Sequence, residues 1–385
     1  MKTEWVHKKL GDDDVAKIIM GQSPSSTSYN DENVGLPFLQ GCADFGEVFP
    51  MTSVYCDEPL KVAPQNSILM SVRAPVGTIN KADQQYIIGR GLCSIVPQIN
   101  NDYLYYYLLQ NKNRFEQKAQ GSTFLAINSA EVNDFDVSYP NSLPAQRRIA
   151  AILSSADKVI AATQKTIAKY KQIKQGLMED LLKPKEGWKK VRLGGCLKQK
   201  PDYGINAPAV PYDNHLPTYL RITDITEDGY YSKKDIVSVA SQDALKYVME
   251  EGDLVFARTG ASTGKTYLYN SKDGMLVFAG FLIRVRTDET VLLPEFFKYQ
   301  TQTPQYKNWI AANSMRTGQP GINGNEYETY PVSIPYKNGE PDIAEQRRIA
   351  AILSGIDAKI AAEEKVLEKY EKVKKGLMER LFLSD

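Results

Sequence analysis

The run Gly260 to Thr266, GASTGKT, is the part of the sequence that comes closest to a catalytic motif. A phosphate-binding loop of this kind needs four residues between its glycines and must open a helix. Only three residues separate Gly260 from Gly264, and the following Tyr267-Leu268-Tyr269 predicts a strand. The spacing therefore argues against a nucleotide site, although an enzyme using a nucleotide around Lys265 stays open as an alternative.

Other residue types that perform chemistry are scarce or scattered. Asp44-Phe45-Gly46 resembles a kinase triplet, but no glycine-rich loop or His-Arg-Asp segment accompanies it. The sequence has two histidines, and its four cysteines include no Cys-x-x-Cys pair. We therefore predict no catalytic set, no metal site and no cofactor in this chain.

Composition narrows the class of protein further. The 385 residues include 47 basic and 46 acidic side chains, a net charge of +1 that argues against a polycation coating nucleic acid. No apolar run reaches the length of a membrane span, and the start of the sequence has no apolar signal segment. The expected location is the cytoplasm, with reduced cysteines and no membrane partner.

Polar loops containing glycine recur at similar places in the two halves of the sequence. Arginine side chains can bind guanine edges, Asn and Gln can bind adenine, and Ser and Thr can bind phosphate or base. Ordinary roles in turns and helix caps explain the same residue types equally well. The candidate DNA-binding residues are Arg73, Thr78, Arg90, Ser122, Thr123 and Asn128 in the first half, and Arg258, Thr259, Ser262, Lys265, Thr266, Arg316, Gln319 and Asn323 in the second.

Short predicted strands and helices position these loops. In the first half, strands are predicted at 67–72 and 92–96, and a tyrosine-rich helix at 102–111. The stretch 253–258 is an apolar strand that ends in arginine, as 66–73 is. This likeness predicts that Arg73 and Arg258 take equivalent positions in two similar α/β domains.

A repeated helix organises the whole chain. Residues 146–182 return as residues 346–382 without a gap, and neither copy contains proline. Apolar residues at alternating steps of four and three predict a coiled-coil seam, through which the two helices pack on each other and relate two similar halves by a pseudo-twofold axis. The seam is predicted at Ile149, Leu153, Ile160, Ile167, Leu177, Ile349, Leu353, Ile360, Leu367 and Leu377.

Polar positions interrupt both copies of the seam in the same places. Lys174 and Lys374 share one position, where a polar group can fix the register of the helices. Thr163 and Glu363 share another. Gly176 and Gly376 also recur beside the seam, and we interpret them as a place where a second backbone approaches closely. The predicted domains are therefore a first globular domain (1–144), a central helix (145–184), a second globular domain (185–344) and a C-terminal helix (345–385).

The order domain, helix, domain, helix resembles the specificity (S) subunits of type I restriction-modification systems, the HsdS family. The likeness is carried by Gln146-Arg147-Arg148-Ile149-Ala150 with Gly176-Leu177-Met178, and by the same motifs at 346–350 and 376–378. Strands that end in arginine and glycine-containing loops before each final strand complete the pattern. The resemblance implies an α+β fold with two target recognition domains separated and joined by two long antiparallel coiled-coil helices.

The same resemblance implies a function and partners. Each target recognition domain would read one half of an asymmetric bipartite site in double-stranded DNA, and the helix pair would set the spacer. Two modification (methyltransferase) subunits, which hold S-adenosylmethionine, would dock on the helices, and restriction subunits would complete the cleaving complex. The chain itself would be non-catalytic. A coiled-coil scaffold without DNA recognition remains the second alternative.

Overall fold

The computed structural model describes residues 4–119, 125–315 and 318–382. The chain forms two compact units, one made of Met1–Lys165 with Lys365–Asp385 and the other of Thr166–Glu364. Each unit therefore combines one globular head with part of both long helices. Helices and sheets are mixed in the way the sequence predicts, and the α+β fold class is confirmed.

The two long helices differ sharply in length from the helices of the heads. Both have 40 residues and begin slightly before the predicted boundaries at 145 and 345. Short helices predominate elsewhere. In chain order, the helices are α1 (Asn101–Gln110), α2 (Lys112–Lys118), α3 (Ser129–Asn133), α4 (Leu143–Leu182), α5 (Pro294–Gln300), α6 (Pro304–Asn313), α7 (Gly324–Tyr327) and α8 (Ile343–Phe382).

The head of unit 1 is built from short strands. They are β1 (Trp5–Lys9), β2 (Ala16–Met20), β3 (Tyr29–Asn30), β4 (Leu36–Leu39), β5 (Tyr55–Cys56), β6 (Val62–Ala63), β7 (Ile68–Ser71), β8 (Ile79–Lys81), β9 (Tyr86–Ile88), β10 (Leu92–Pro97) and β11 (Asp136–Pro140). The strand orders are β2-β10-β7-β8, β3-β5-β4-β9-β6 and β1-β11. All strand pairs are antiparallel except β4 with β9.

The head of unit 2 repeats this plan. Its strands are β12 (Trp188–Arg192), β13 (Asp202–Tyr203), β14 (Ala209–Pro211), β15 (Thr218–Leu220), β16 (Val237–Val239), β17 (Leu254–Ala257), β18 (Thr266–Leu268), β19 (Leu276–Phe278), β20 (Leu282–Val285), β21 (Pro331–Lys337) and β22 (Glu340–Pro341). The orders are β13-β20-β17-β18, β14-β16-β15-β19 and β12-β21-β22, with β15 and β19 parallel. Strand for strand, the first sheet matches that of unit 1.

Each head shares its hydrophobic core with both long helices. In unit 1, Leu153 of α4 and Met378 of α8 are buried in one cluster with Tyr103 of α1. In unit 2, Met178 of α4 and Leu353 of α8 join the cluster around Phe297. Because the buried face of the helices also covers the heads, it is wider than a two-helix seam. The ten predicted seam residues are all buried or half-buried.

A joint of three polar side chains, here called the Tyr–Asp–Lys joint, links head and helices in each unit. In unit 1, Tyr106 of α1 donates to Asp157 of α4 at 2.6 Å, and Lys374 of α8 pairs with the same carboxylate at 2.5 Å. This places the later part of α8 against the early part of α4, so the helix segments run antiparallel. Burial, and then the Asp157 carboxylate, raise the pKa of the Tyr106 hydroxyl, so it remains a donor.

Unit 2 has the same joint with the roles of the helices exchanged. Tyr299 of α5 donates to Asp357 of α8 at 2.8 Å, and Lys174 of α4 pairs with Asp357 at 2.8 Å. Burial also raises the pKa of Tyr299. The polar seam position thus has a partner in each unit, as a register-fixing role for Lys174 and Lys374 requires.

A buried glutamine near the start of each long helix supplies a second link. Gln146 accepts from the backbone N–H of Asn100 at 2.9 Å and donates to the carbonyl of Pro140 at 2.9 Å. Gln346 accepts from the N–H of Leu293 at 2.9 Å and donates to the carbonyl of Val291 at 2.9 Å. Asn100 and Leu293 are the N-caps of α1 and α5, so both glutamines bind the same place on the head.

The interpretation of the helix glycines is wrong. A Cβ atom built at Gly176 or Gly376 would meet no heavy atom within 4 Å among the described residues. Both positions therefore face open space, and neither glycine is needed for the approach of another backbone within its unit.

Candidate nucleic-acid interface

Three loops of unit 2 are hydrogen-bonded into one surface, here called loop edge 2 (258–264, 279–281 and 318–323). The N–H of Arg258 donates to the carbonyl of Phe281 at 3.0 Å, and the carbonyl of Arg258 accepts from Ile322 at 2.9 Å. The N–H of Gly260 donates to the carbonyl of Pro320 at 2.9 Å. The structure therefore brings Arg258, Thr259 and Ser262 together with Gln319 and Asn323, a group that lies far from them in sequence.

Unit 1 has a corresponding surface, loop edge 1 (72–78, 89–91 and 125–128). The N–H of Val72 donates to the carbonyl of Gly91 at 2.9 Å, and the carbonyl of Val72 accepts from Ile127 at 2.9 Å. Arg73, Arg90 and Asn128 are exposed here, and Thr78 is half-buried. Candidate residues from both halves thus converge at the same place in each head.

The predicted equivalence of Arg73 and Arg258 is wrong, because Arg258 corresponds to Val72 and Arg73 corresponds to Thr259. Val72 makes the backbone hydrogen bonds that Arg258 makes, while Arg73 and Thr259 form the corresponding bridges to Ala126 and Gly321. Because successive side chains of an extended strand point to opposite faces, the two arginines leave their strands in different directions. Val72 is 3% exposed, so unit 1 has an apolar core residue where unit 2 has a half-buried arginine.

Asn128 and Asn323 are helix caps. The side chain of Asn128 accepts from the N–H of Glu131 at 3.0 Å, and Asn323 accepts from the N–H of Glu326 at 3.0 Å. Each glutamate in turn accepts from the backbone N–H of its asparagine, which completes a capping box. Local structure therefore explains both asparagines, and their amide N–H groups remain on the exposed side.

The surroundings of two candidates in the Gly260–Thr266 run, Thr266 and Lys265, argue against a direct contact with DNA. Thr266 is 5% exposed, and its hydroxyl lies 2.7 Å from that of Thr301. Lys265 pairs with Glu227 at 2.6 Å and lines a cavity of about 830 Å³ beside Lys174 and Ile360. The prediction of Thr266 as a DNA contact is wrong because its hydroxyl is buried. Ser122, Thr123 and Arg316 lie outside the described residues.

The same run does not have phosphate-loop geometry. Gly260 and Gly264 have φ angles of 71° and 89°, values that favour glycine. A short 3₁₀ turn, Gly260–Ser262, is followed by three turn and loop residues and then by β18, so the run does not open a helix. The prediction of a strand at this point is confirmed.

Two aromatic residues at loop edge 2 were missed by the sequence analysis. The ring of Tyr203 lies 5.0 Å from the guanidinium of Arg258, and its hydroxyl accepts from the N–H of Gly324 at 3.0 Å. Phe281 has an exposed fraction of 56%. Tyr203 lies in a two-residue strand remote in sequence from Arg258, so no local pattern links them.

Metal ligation and membrane insertion receive no support from the described part of the chain. Within residues 4–119, 125–315 and 318–382, His, Cys, Asp and Glu side chains form no group that could hold a metal ion. Across those same residues, helices long and apolar enough to cross a membrane are absent.

Comparison with known proteins identifies the family. The model of the type I restriction modification DNA specificity domain matches residues 2–173 and again residues 185–372. The matches cover most of the sequence, and each covers one head with the long helix that follows it. The chain belongs to this family.

Individual relatives are similar over part of their length. The MjaX type I restriction enzyme specificity subunit of Methanocaldococcus jannaschii is 39% identical over 182 residues, which cover 46% of this chain and 43% of the relative. The MjaIX specificity subunit of the same organism is 26% identical over 231 residues, which cover 53% of this chain and 52% of the relative. The chain thus spans about half the length of these curated relatives.

Solved structures share the fold over the whole chain. The crystal structure of the type I restriction-modification S subunit from M. genitalium has a TM-score of 0.66 at 15% identity, covering 100% of this chain and 97% of that one. A chain from a structure addressing complex assembly and conformational transition of the type I R-M system has a TM-score of 0.58 at 16% identity, with full coverage of both. At such low identity, this likeness concerns the fold.

Proposed function

We propose that this chain is the sequence-specific DNA-recognition subunit of a type I restriction-modification complex. Each head reads one half of an asymmetric bipartite site in double-stranded DNA, and the helix pair sets the spacer between the halves. The observation that carries this proposal is that two heads of one plan present loop edges with different side chains. A shared scaffold with divergent contact residues suits recognition of two different half-sites.

The chemistry of the loop edges supports DNA as the ligand. Loop edge 1 exposes Arg73 and Arg90, and loop edge 2 presents Arg258 with Gln319. These side chains can donate to phosphates and to base edges in the major groove. The remaining DNA-binding candidates stay with them in the proposal, except Thr266, whose hydroxyl is buried, and Lys265, which faces the cavity.

The helices are proposed to dock two methyltransferase subunits. In unit 1, apolar side chains that are more than a third exposed recur seven residues apart on each helix, at Ile152 and Val159 of α4 and at Val366 and Val373 of α8. A second heptad stripe facing water is typical of a helix that receives a further helix. The methyltransferase subunits hold S-adenosylmethionine and methylate adenine, restriction subunits add cleavage, and this cytoplasmic chain contributes no catalytic group.

Genome-wide mapping of methylated adenines tests the recognition role. A strain that expresses this chain as its one specificity subunit, together with its methyltransferase partner, should acquire methylation at a two-part asymmetric sequence with a fixed spacer. Methylation without a defined sequence, or at a single palindrome, would contradict the proposal. Binding that depends on both salt and sequence would exclude a protein scaffold without DNA recognition.

Co-purification tests the docking role. The double substitution Val366→Glu with Val373→Glu should abolish retention of the methyltransferase subunit, because it puts two charges on the apolar stripe. Lys375→Glu on the same helix changes a charge at an exposed position on the opposite side of the helix from this stripe, so it should retain the partner. Equal retention by both variants would count against docking on this stripe.

A further inference from the structure

We propose that Arg258 binds a guanine in the half-site of unit 2, and that Tyr203 positions its guanidinium for that contact. This inference rests on the proposed function and assigns one base pair of the DNA site to one pair of side chains. Arg258 is one of the fourteen candidate DNA-binding residues predicted from the sequence. The geometry of loop edge 2 singles it out.

The first observation is that Arg258 differs from three other arginines in the head of unit 2, which are bound to carboxylates. Arg284 is bound by the carboxylates of Asp202 and Asp253 at 2.6 and 3.2 Å, and Arg286 pairs with Asp253 at 2.6 Å. Arg221 likewise pairs with Asp224 at 2.7 Å. These guanidinium groups are used in holding the head together.

Arg258 has no such partner among the described residues. Its guanidinium is half-buried and rests on the ring of Tyr203, at 5.0 Å from the centroid. An aromatic face attracts the cation but leaves the N–H groups, which point along the guanidinium plane, free to donate. Those donors have the fork spacing that fits the O6 and N7 acceptors of guanine in the major groove.

The second observation is that the position of this pair is fixed on both sides. The backbone of Arg258 is held by hydrogen bonds to Phe281 and Ile322. The Tyr203 hydroxyl accepts from the N–H of Gly324 at the first turn of α7, which prevents the ring from turning away. A side chain held in one orientation loses less entropy when it binds, so the contact is preorganised.

The third observation is the surface beside the pair. Tyr203, which contacts the guanidinium, and Phe281, whose backbone carbonyl accepts from the Arg258 N–H, have exposed fractions of 40% and 56%. In unit 1, the corresponding positions are the buried Val72 and a glycine, Gly91. The guanine contact is therefore specific to unit 2.

The test uses the complex of this chain with its methyltransferase partner. The wild-type motif is mapped first, and affinities are then measured for duplexes that change one base pair at a time. Arg258→Ala should lose about 5- to 150-fold of discrimination at one guanine of one half-site and leave the other half-site unchanged. Arg192→Ala, an exposed arginine of β12 in the same unit, is the matched control and should change neither.

Variants of Tyr203 distinguish positioning from general stability. Tyr203→Leu should relax the same base pair as Arg258→Ala. Tyr203→Phe keeps the ring but loses the hydroxyl that accepts from Gly324, so its loss of discrimination should be smaller than that of Tyr203→Leu. In the Arg258→Ala background, Tyr203→Leu should add little, since both act through one contact. Additive effects, or relaxation at a different base pair, would overturn the role of Tyr203.

Failure of this inference can be separated from failure of the proposed function. If the wild-type complex methylates no defined sequence, the proposed function is wrong and the guanine contact is wrong with it. If a bipartite motif exists and Arg258→Ala leaves both half-sites read as before, only the assignment is wrong. Arg258→Lys keeps the positive charge but lacks the two parallel N–H donors of the guanidinium. A loss of discrimination in this variant would support the bidentate contact even if the alanine variant folds poorly.

Discussion

The two units agree where the head meets the helices and differ where the loops face outward. At the Tyr–Asp–Lys joint, the same three residue types recur with similar distances. The two buried glutamines bind the N-caps of corresponding helices, α1 in unit 1 and α5 in unit 2. At the loop edges, Arg258 corresponds to Val72 and Phe281 to Gly91. Assembly and recognition therefore depend on separate groups of residues.

A neighbouring contact shows how far the units can diverge while keeping the same chemistry. In unit 1, Lys81 of β8 lies 4.2 Å from the ring of Tyr105 on α1. In unit 2, α5 provides the cation instead, since Lys298 lies 4.4 Å from the ring of Tyr230. Lys298 occupies the position of Tyr105, because each precedes the tyrosine of its joint. The head helix therefore carries the ring in unit 1 and the cation in unit 2. Burial lowers the pKa of Lys298, and Asp357 opposes that effect.

The buried glutamines should give the largest effect on stability. Gln346→Leu removes the partners of a buried N–H and a carbonyl, so we expect a loss of about 4 kcal/mol in unit 2. Hydrogen exchange of α5 amides measures this loss, and α1 amides report on unit 1 in the same sample. Arg347→Ala is the control, since this neighbouring side chain is exposed. Unchanged protection of α5 would show that the glutamine link is dispensable.

The joints should differ in strength because their burial differs. Lys174 and Asp357 are each 12% exposed, so Asp357→Asn leaves a largely buried ammonium group unpaired, at a cost of about 3 kcal/mol. Asp157 is 35% exposed and Lys374 is 21% exposed, so water screens the charge and Asp157→Asn should cost about 1 kcal/mol. Denaturant-dependent hydrogen exchange in each unit checks the order. A larger loss for Asp157→Asn would contradict the burial argument.

Arg73 should give an intermediate effect that appears in recognition rather than stability. Arg73→Ala should cost about 1–3 kcal/mol of discrimination in the half-site of unit 1, with the half-site of unit 2 unchanged. Thr259→Ala, at the corresponding position of unit 2, should have a smaller effect because a hydroxyl makes one contact where the guanidinium makes two. Single-base-pair substitution duplexes measure both. Equal effects of the two variants would argue against a difference between the loop edges at this position.

Lys265 should give the smallest effect. Its partner Glu227 is 84% exposed, so Lys265→Ala should change the free energy of unfolding by less than about 0.5 kcal/mol. Methylation by the complex should also continue at the same sites, because the residue lines a cavity outside loop edge 2. ATP hydrolysis by the isolated chain that is lost in Lys265→Ala would favour the nucleotide-using enzyme instead.

The long helices could be predicted from the sequence because their apolar pattern is periodic. Heptad spacing over Ile149 to Leu177 and its exact-length repeat fix two long helices, because no other structure buries such a pattern. The register of Arg73 and Arg258 was missed, because the strands before them are buried on both faces and their continuous apolar runs have no alternation that marks the register. Asn128 and Asn323 were placed among DNA contacts, although the glutamate three residues after each is the signature of a capping box.

Other features depend on contacts between distant segments, which no local pattern contains. Tyr203 and Arg258 meet through the strand order of a sheet, and Gln146 contacts Asn100 through one partly buried hydrogen bond. Such pairings follow from the tertiary fold.

The last turns of α8 complete the core of the head that is synthesised first. Phe382 packs on Tyr103 and Tyr107 with ring centroids 5.5 and 5.7 Å apart, within unit 1. Unit 2 is one continuous stretch of chain, so on the ribosome it has all its parts before unit 1 does. The N-terminal head must then wait for residues more than two hundred positions downstream, and a nascent chain released before them would leave its apolar interior open to chaperones and proteases.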